Sequence, residues 1–348
     1  MRFIALFVLL LLFTQAASAA SALPDSLRLM LAKYMRFSRK DLNDVSRGEL
    51  VKKALETRSR TEVAFFGVTY VNAPPSLLIK RFRDIETFKK GEAVSKVKKM
   101  SDLPSVQDFK EMTLEKKDLK ELQKCKPGKC DMKLSTEMIE QIQQEIKWSE
   151  RDHEDKATEL FRLLLFDYVQ EYLERGNAGL IHYYDQKKPV SLPDEFKSIL
   201  QGSPFIHDKL PEFYQYLMEY PQESLPNTEN FLYWSKETLK FRPVITITHV
   251  TMFRPNPQEA FIASKQVYAN HYLTGSLALT GMISQNEDPD QAGFYLFYLN
   301  RTRTDMLGGL LSGLKRSLTR SRSTAALDEN LTLIKVRLEK EFQTQKPD

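Results

Sequence analysis

The segment from Glu62 to Met100 constrains the fold of this chain more than any other. An apolar, extended run over 63–71 leads into Ala73-Pro74-Pro75, and apolar residues at helical spacing follow at once over 76–90. Because proline lacks an N–H and fixes φ, a double proline ends a strand and suits the first turn of a helix. A second strand-like run follows the helix. The sequence therefore predicts an α+β fold, in which a strand passes directly into an amphipathic helix.

A second group of strands is predicted late in the chain. Runs rich in β-branched and aromatic residues indicate four strands, at 242–253, 260–269, 271–283 and 293–300. Two helices are expected after them, over 304–320 and 324–342. The second of these helices carries an apolar stripe from Leu327 to Phe342, so we expect one of its sides to pack against the sheet.

The middle of the chain, residues 104–240, has a mostly helical character. Apolar spacing predicts a long helical region over 136–175, with a charged interruption at 148–156 that marks a kink or a break. Placing both groups of strands in one antiparallel sheet wraps that sheet around the terminal helix. The middle then becomes an insertion, including the cysteine loop, between a first half at 20–103 and a second half at 241–348.

The N-terminus has the features of a secretory signal peptide. Arg2 supplies a positive start, an apolar run covers 3–13, and Ala17-Ser18-Ala19 has the small residues of a cleavage site. The apolar run is shorter than the roughly 20 residues that span a bilayer. We therefore expect residues 1–19 to be removed and the mature protein to be periplasmic or secreted, either soluble or peripherally bound. An uncleaved membrane anchor is the alternative.

The two cysteines, Cys125 and Cys130, flank Pro127-Gly128. Because Pro fixes φ and Gly accepts a positive φ, this pair favours a tight turn that brings the sulfurs within bridging distance. In an oxidising compartment we expect a disulfide. A zinc site would need two further ligands, the five histidines show no ligand spacing, and the spacing differs from the redox CxxC motif. No metal and no cofactor is predicted.

Charge provides one candidate surface. The formal net charge of +5 is spread with mixed sign along the chain, too weak a bias to indicate a nucleic-acid partner. The amphipathic segment at 306–320 carries Lys315, Arg316 and Arg320 near its end. Such a helix can lie on an anionic membrane. It can equally pack in the core, with its cations complementing the helix dipole.

Aromatic residues that share strand faces are the candidates for a ligand cavity. Ligand pockets are mostly apolar and aromatic with a few polar groups, and His249 can hydrogen-bond a ligand or act as an acid or base. A packed core would use the same residues. No placement of Ser, His and Asp indicates a catalytic triad, so no catalytic residue is predicted. The cavity candidates are Phe66, Tyr70, His249, Tyr268, Tyr272, Tyr295 and Phe297.

The strand–Ala73-Pro74-Pro75–helix unit, with Asp84-Ile85 in the helix, resembles the opening of helix-grip proteins, the START and polyketide-cyclase-like superfamily. The late strands and the long amphipathic helix resemble that family's closing half, so the likeness covers about 48–103 and 243–342. The helical middle and the cysteine loop depart from the compact family pattern. The resemblance implies a curved antiparallel sheet gripping a long C-terminal helix around an apolar cavity for lipids or other hydrophobic molecules. A fold of this kind does not fix a function.

The leading hypothesis is an exported, non-enzymatic protein that binds a hydrophobic small molecule or lipid, in one version at a membrane surface. The alternative is a protein-interaction or envelope-assembly factor that works through the helical insertion. A cyclase- or hydrolase-like enzyme is the third hypothesis.

Overall fold

The computed structural model describes residues 23–221, 224–239, 242–284, 286–307 and 312–345, with 312–323 and 345 described by their backbone alone. The signal peptide predicted over residues 1–19 lies outside them. The strands are β1 (Val51–Leu55), β2 (Glu62–Val71), β3 (Val94–Lys99), β4 (His182–Tyr183), β5 (Val190–Ser191), β6 (Thr228–Leu239), β7 (Arg242–Asn256), β8 (Glu259–Ala269), β9 (Leu273–Ser284) and β10 (Phe294–Thr304). The α-helices are α1 (Asp25–Lys33), α2 (Arg39–Ser46), α3 (Pro75–Arg83), α4 (Ile85–Phe88), α5 (Lys116–Leu122), α6 (Thr136–Glu145), α7 (His153–Arg175), α8 (Leu192–Gln201), α9 (Pro204–Lys209), α10 (Pro211–Glu219) and α11 (Ser312–Gln345).

One large antiparallel sheet organises these elements. Its strand order is β1-β2-β10-β9-β8-β7-β6-β3, and every neighbouring pair is antiparallel. The strands before and after the helical middle therefore join in a single sheet. β2 contains the predicted apolar run and ends with it at Val71, and α3 begins at Pro75 shortly after it. The α+β class, with a large curved antiparallel sheet and a long C-terminal helix, is confirmed.

α3 and α11 cover one face of the sheet. Leu327 and Leu331 of α11 pack against β2 at Gly67, where a Cβ would lie 2.7 Å from Leu331 Cδ1. Any side chain at residue 67 would therefore press on the helix. The core on this face also takes in Leu78 and Phe82 from α3. The apolar stripe predicted for the last helix thus faces the sheet.

The helical insertion covers the opposite face. α7 contributes Phe161, Tyr168 and Tyr172 to a second core on this side, and α8 contributes Phe196. Strands that are covered on both faces lack a solvent-exposed alternation, and β7 and β10 accordingly have few exposed positions. The insertion is therefore a full layer of the molecule and part of its main core.

Two sequence-based boundaries differ from the structure. Residues 228–239, assigned to the end of the insertion, form β6, which pairs with β7 and β3 in the large sheet. Its strand signal is weak because Asn230 and Lys236 interrupt the apolar pattern, and both hydrogen-bond to the insertion. The helices expected over 304–320 and 324–342 are replaced by one continuous helix, α11.

Two local predictions in the middle of the chain are confirmed. α6 ends at Glu145 and α7 begins at His153, so the charged interruption is a break between helices. Cys125 and Cys130 are disulfide-bonded, and Gly128 between them has a φ of +78°, the conformation that the Pro–Gly turn requires. Among the described helices, none is long and apolar enough to cross a membrane.

Candidate functional site

Most of the predicted cavity residues lie on the sheet face that the insertion covers. Phe66 stacks on Phe297 at a ring distance of 5.8 Å, and Tyr70 meets Tyr295 edge-on at 5.3 Å. Phe66, Phe297 and Tyr295 are almost fully buried, so they belong to the packed core on the face opposite α11. The residues on this face are Phe66, Tyr70, His249, Tyr268, Tyr295 and Phe297.

Tyr268 and Tyr272, predicted to share a strand face, are separated by the end of β8. The strand stops at Ala269, and Tyr272 lies in the connection to β9 with a φ of +62°. The Tyr268 hydroxyl donates to the backbone oxygen of Lys133 at 3.0 Å, whereas Tyr272 lines a cleft beside the disulfide loop. Strand alternation does not apply here because the chain leaves the sheet between the two tyrosines.

His249 belongs to a chain of hydrogen bonds between β7 and α7. The Tyr172 hydroxyl donates to Nδ1 at 2.8 Å, and Nε2 donates to Asn230 Oδ1 at 3.0 Å. Burial lowers the pKa of His249 to about 3, with a further contribution from the amine of Lys265. The imidazole is therefore neutral at neutral pH, and both of its nitrogens are already bonded within the protein.

Lys265, on β8, is the other basic group of this network. Its Nζ donates to Tyr172 Oη at 3.2 Å, contacts Asn177 Oδ1 and lies 4.2 Å from the centre of the Phe196 ring. No carboxylate pairs with it in the described part of the chain. Burial holds the pKa of Lys265 well below its ordinary value. At 3% exposure, this amine contributes to the packing of α7 on the sheet and has little contact with solvent.

A cleft of about 860 Å³ opens beside the disulfide loop. Lys133 lies at its base with only 1% exposure, paired with Asp185 at 3.2 Å and with Asp305 at 2.8 Å. A charge this deep is tolerated only when it is paired and hydrogen-bonded. Lys133 and its two carboxylates therefore fix the base of the cleft, and Lys129 and Lys187 lie on its rim.

A second ionic group at this cleft has the residue types of a metal site. Ligand atoms of Asp118, Glu121 and His271 lie within 4.8 Å of one another. The guanidinium of Arg242 already lies between the carboxylates, with Nη2 2.8 Å from Glu121 and in contact with Asp118. Burial favours the neutral acid, but His271 and Arg242 outweigh it and hold the pKa of Asp118 below its ordinary value. These donors fit a salt-bridge network better than a divalent cation.

The sheet face under α11 carries polar residues that the sequence analysis did not identify. Lys89, directly after α4, pairs with Glu237 of β6 at 2.7 Å and lies 3.4 Å from the hydroxyl of Tyr233. Ser235 donates to the same Glu237 carboxylate at 2.6 Å. The Lys89 and Glu237 side chains keep 26% and 24% exposure, so an accessible ion pair borders the apolar core on this face.

Tyr298 of β10 lies on this same face of the sheet and packs against its core. Burial raises the pKa of Tyr298 above its ordinary value, and Lys89 and Glu237 also act on it. Tyr298 lies on β10 and Glu237 on β6, with three strands between them, a separation of about 19 Å in a flat sheet. The core on this face nevertheless joins Tyr298 to Tyr233 of β6 and to Leu338 of α11, so one apolar layer lies between the curved sheet and the helices.

A groove of about 570 Å³ runs between α4 and α11. Phe88, Ile334 and Leu338 form its apolar floor. Phe88 packs on Phe82 at a ring distance of 4.8 Å, which joins the floor to the core on the sheet face that α11 covers. Charged residues surround this floor: Arg81, Lys90, Arg337, Lys340 and Glu341.

Sequence reasoning missed the groove because alternation shows which residues share a strand face, but not which layer covers that face. Alternation places Tyr295 and Tyr298 on opposite sides of β10, but only the structure shows which core each of them joins. The side chains of Lys315, Arg316 and Arg320, the candidate membrane contacts, lie outside the described residues. No family model matches this chain, and no curated protein matches its sequence. Its function is therefore inferred from the geometry.

Proposed function

We propose that this protein binds a hydrophobic or amphipathic small molecule, such as a lipid, in the groove between α4 and α11. The observation that carries the proposal is the apolar floor of Phe88, Ile334 and Leu338, which continues into the core between the sheet and α11. Ligand sites are typically concave and mostly apolar, with a few polar groups that orient the ligand. The Lys89–Glu237 pair lies close by, on the same side of the sheet.

The same geometry supports the proposed relationship to helix-grip proteins. That resemblance implies a curved sheet and a C-terminal helix with an apolar cavity associated with them. A groove beside α11, on the sheet face that this helix covers, agrees with this expectation. The proposed ligand site therefore moves from the aromatic residues under the insertion to α4 and α11. The disulfide and the predicted signal peptide support action after export, and the proposal involves no chemical reaction.

Native mass spectrometry of the purified protein, followed by organic extraction, tests for a co-purifying ligand. After extraction, a neutral fluorescent probe, N-phenyl-1-naphthylamine, measures binding to the emptied protein. We expect an extractable hydrophobic molecule and saturable probe binding that the extracted material displaces. A protein that carries no such molecule and also fails to bind the probe would contradict the proposed function.

A matched pair of substitutions on α11 tests the location. Ile334→Trp fills the groove floor, so we expect it to weaken probe binding about tenfold. Val336→Trp places the same ring on an exposed position of the same helix, at 53% exposure, and should leave binding unchanged. Equal binding by both variants, each confirmed as folded by circular dichroism, would place the ligand elsewhere.

A further inference from the structure

The groove between α4 and α11 has a strongly cationic rim. None of Lys90, Arg337 and Lys340 has a carboxylate partner among the residues that the structure describes. Arg81 is the exception, with Nη2 2.6 Å from Glu341. We propose that the groove selects amphiphiles with an anionic head group, a carboxylate or a phosphate, and this inference rests on the proposed function.

The placement of the cations supports a head group held between two walls. Arg337 and Lys340 lie on α11 beside the floor residue Leu338, whereas Lys90 follows α4 on the other wall. Cations near the end of a helix are favourable for its dipole. That effect acts on each helix separately, so it does not account for cations of two elements converging on one groove.

Electrostatic repulsion among the rim cations also favours the binding of an anion. Arg337 and Lys340 are three residues apart on one helix, a spacing at which like charges destabilise each other. With Lys90 on the other wall, the groove has three positive charges around an apolar floor. An anion placed among them is attracted by all three, and its hydrocarbon chain can cover the floor.

The Arg81–Glu341 pair is an ion pair among the residues that line the groove. Arg81 belongs to α3 and Glu341 to α11, and the Arg81 Nε also donates to Glu341 at 2.8 Å. Their side chains keep 32% and 20% exposure, so the pair is partly shielded from water. It links α3 to α11 and supplies no net charge to the rim. Head-group attraction is therefore assigned to Lys90, Arg337 and Lys340.

The test compares ligands that differ only in their heads. Dodecanoate, dodecyl phosphate, dodecanol and inorganic phosphate compete with N-phenyl-1-naphthylamine for extracted full-length protein at low salt. We expect both anionic amphiphiles to displace the probe at concentrations at least about tenfold lower than dodecanol requires. Raising the salt to about 0.5 M should narrow this difference because partly exposed charges are screened.

Variants assign the effect to the rim. Arg337→Gln combined with Lys340→Gln should weaken both anionic amphiphiles about tenfold and leave dodecanol unchanged. Arg337→Lys combined with Lys340→Arg keeps the charges and should keep the preference. Lys147→Gln, at a side chain with 77% exposure in the insertion, is the control for loss of a surface cation.

Each contrary result has a distinct meaning. Equal displacement by dodecanol and the anions overturns head-group selection while the proposed function stands. If inorganic phosphate displaces the probe as strongly as dodecyl phosphate does, the groove is an ion site in which the hydrocarbon chain has no role. That result overturns the proposal that the ligand is an amphiphile. A third contrary result is that the protein binds vesicles containing phosphatidylglycerol in a charge-dependent way and takes up no single-chain ligand. That result shows membrane docking and overturns the groove as a ligand site. Failure of every ligand and of the probe contradicts the proposed function itself.

Discussion

His249 and Lys265 show how this chain buries two basic groups without a carboxylate partner in the described residues. A buried, unpaired charge is costly by several kcal/mol, and burial accordingly lowers the pKa of both groups, that of His249 to about 3 and that of Lys265 well below its ordinary value. Tyr172 then links them, as a donor to the imidazole and as an acceptor from the amine. The network therefore connects β7, β8 and α7 through a neutral imidazole and hydrogen bonds that lie almost entirely inside the protein.

Acid should destabilise the protein through His249. Between pH 6.5 and about 3 the unfolded chain binds a proton at this site and the folded chain does not, since the folded pKa is about 3. Stability therefore falls as the pH is lowered through this window, by at most about 1.4 kcal/mol for each pH unit from this group. Urea unfolding of the wild type and of His249→Gln, measured at several pH values, should give a smaller slope for the variant.

The matched control for that measurement is His182→Gln, because His182 is exposed on β4. This variant should keep the wild-type slope against pH. If His249→Gln and the wild type lose stability in parallel as the pH falls, the prediction that His249 is neutral in the folded protein is wrong.

At the scale of elements, the contact between α11 and β2 depends on a missing side chain. Gly67→Ala places a methyl group within 3.0 Å of both Leu327 and Leu331. We expect a loss of about 1–3 kcal/mol in the free energy of unfolding, since overpacking forces the helix and the strand apart. Chemical denaturation measures this loss, and binding of N-phenyl-1-naphthylamine should weaken with it because α11 forms one wall of the groove.

Gly91→Ala is the control at the level of elements. A Cβ at Gly91 meets nothing within 4 Å, so its effect on stability should stay within about 0.5 kcal/mol. Equal losses in the two variants would show that α11 can move away from β2 at little cost.

Elements with one clear periodicity could be predicted from the sequence, and those with mixed signals could not. β2 ends at Val71, where the apolar run meets Ala73-Pro74-Pro75, and the break between α6 and α7 follows the charged stretch. The sequence did not reveal β6 because Lys236 interrupts its apolar pattern. The Lys236 amine donates to the backbone oxygen of Thr113, a contact made only in the folded protein. The groove was hidden for a similar reason, since its walls come from segments more than 200 residues apart.

At the scale of the whole molecule, the insertion and the sheet share one core. The strands at the two ends of the insertion, β3 and β6, are neighbours in the sheet, and the insertion folds back over one face of that same sheet. Trp234 on β6 is fully buried, and its indole N–H donates to the backbone oxygen of Asp108 in the insertion at 2.8 Å. A layer attached in this way is not expected to unfold separately.

The two tryptophans test this single cooperative unit. Trp148 lies in the insertion and Trp234 in the sheet, so Trp234→Phe leaves a probe of the insertion and Trp148→Phe leaves a probe of the sheet. For each variant, the denaturant midpoint from tryptophan fluorescence should coincide with the midpoint from far-ultraviolet circular dichroism. A separate, earlier transition seen by Trp148 alone would show an independent domain.

The sheet ends in two different strands, β1 and β3, because it does not close on itself. An open edge offers unpaired backbone groups to any other strand, including the same edge of a second molecule. β1 carries Lys52 and Lys53 along its five residues, and β3 carries Lys96, Lys98 and Lys99 along its six. Two copies that approached edge to edge would bring these cations together, so the same strands that terminate the sheet also oppose its growth into aggregates.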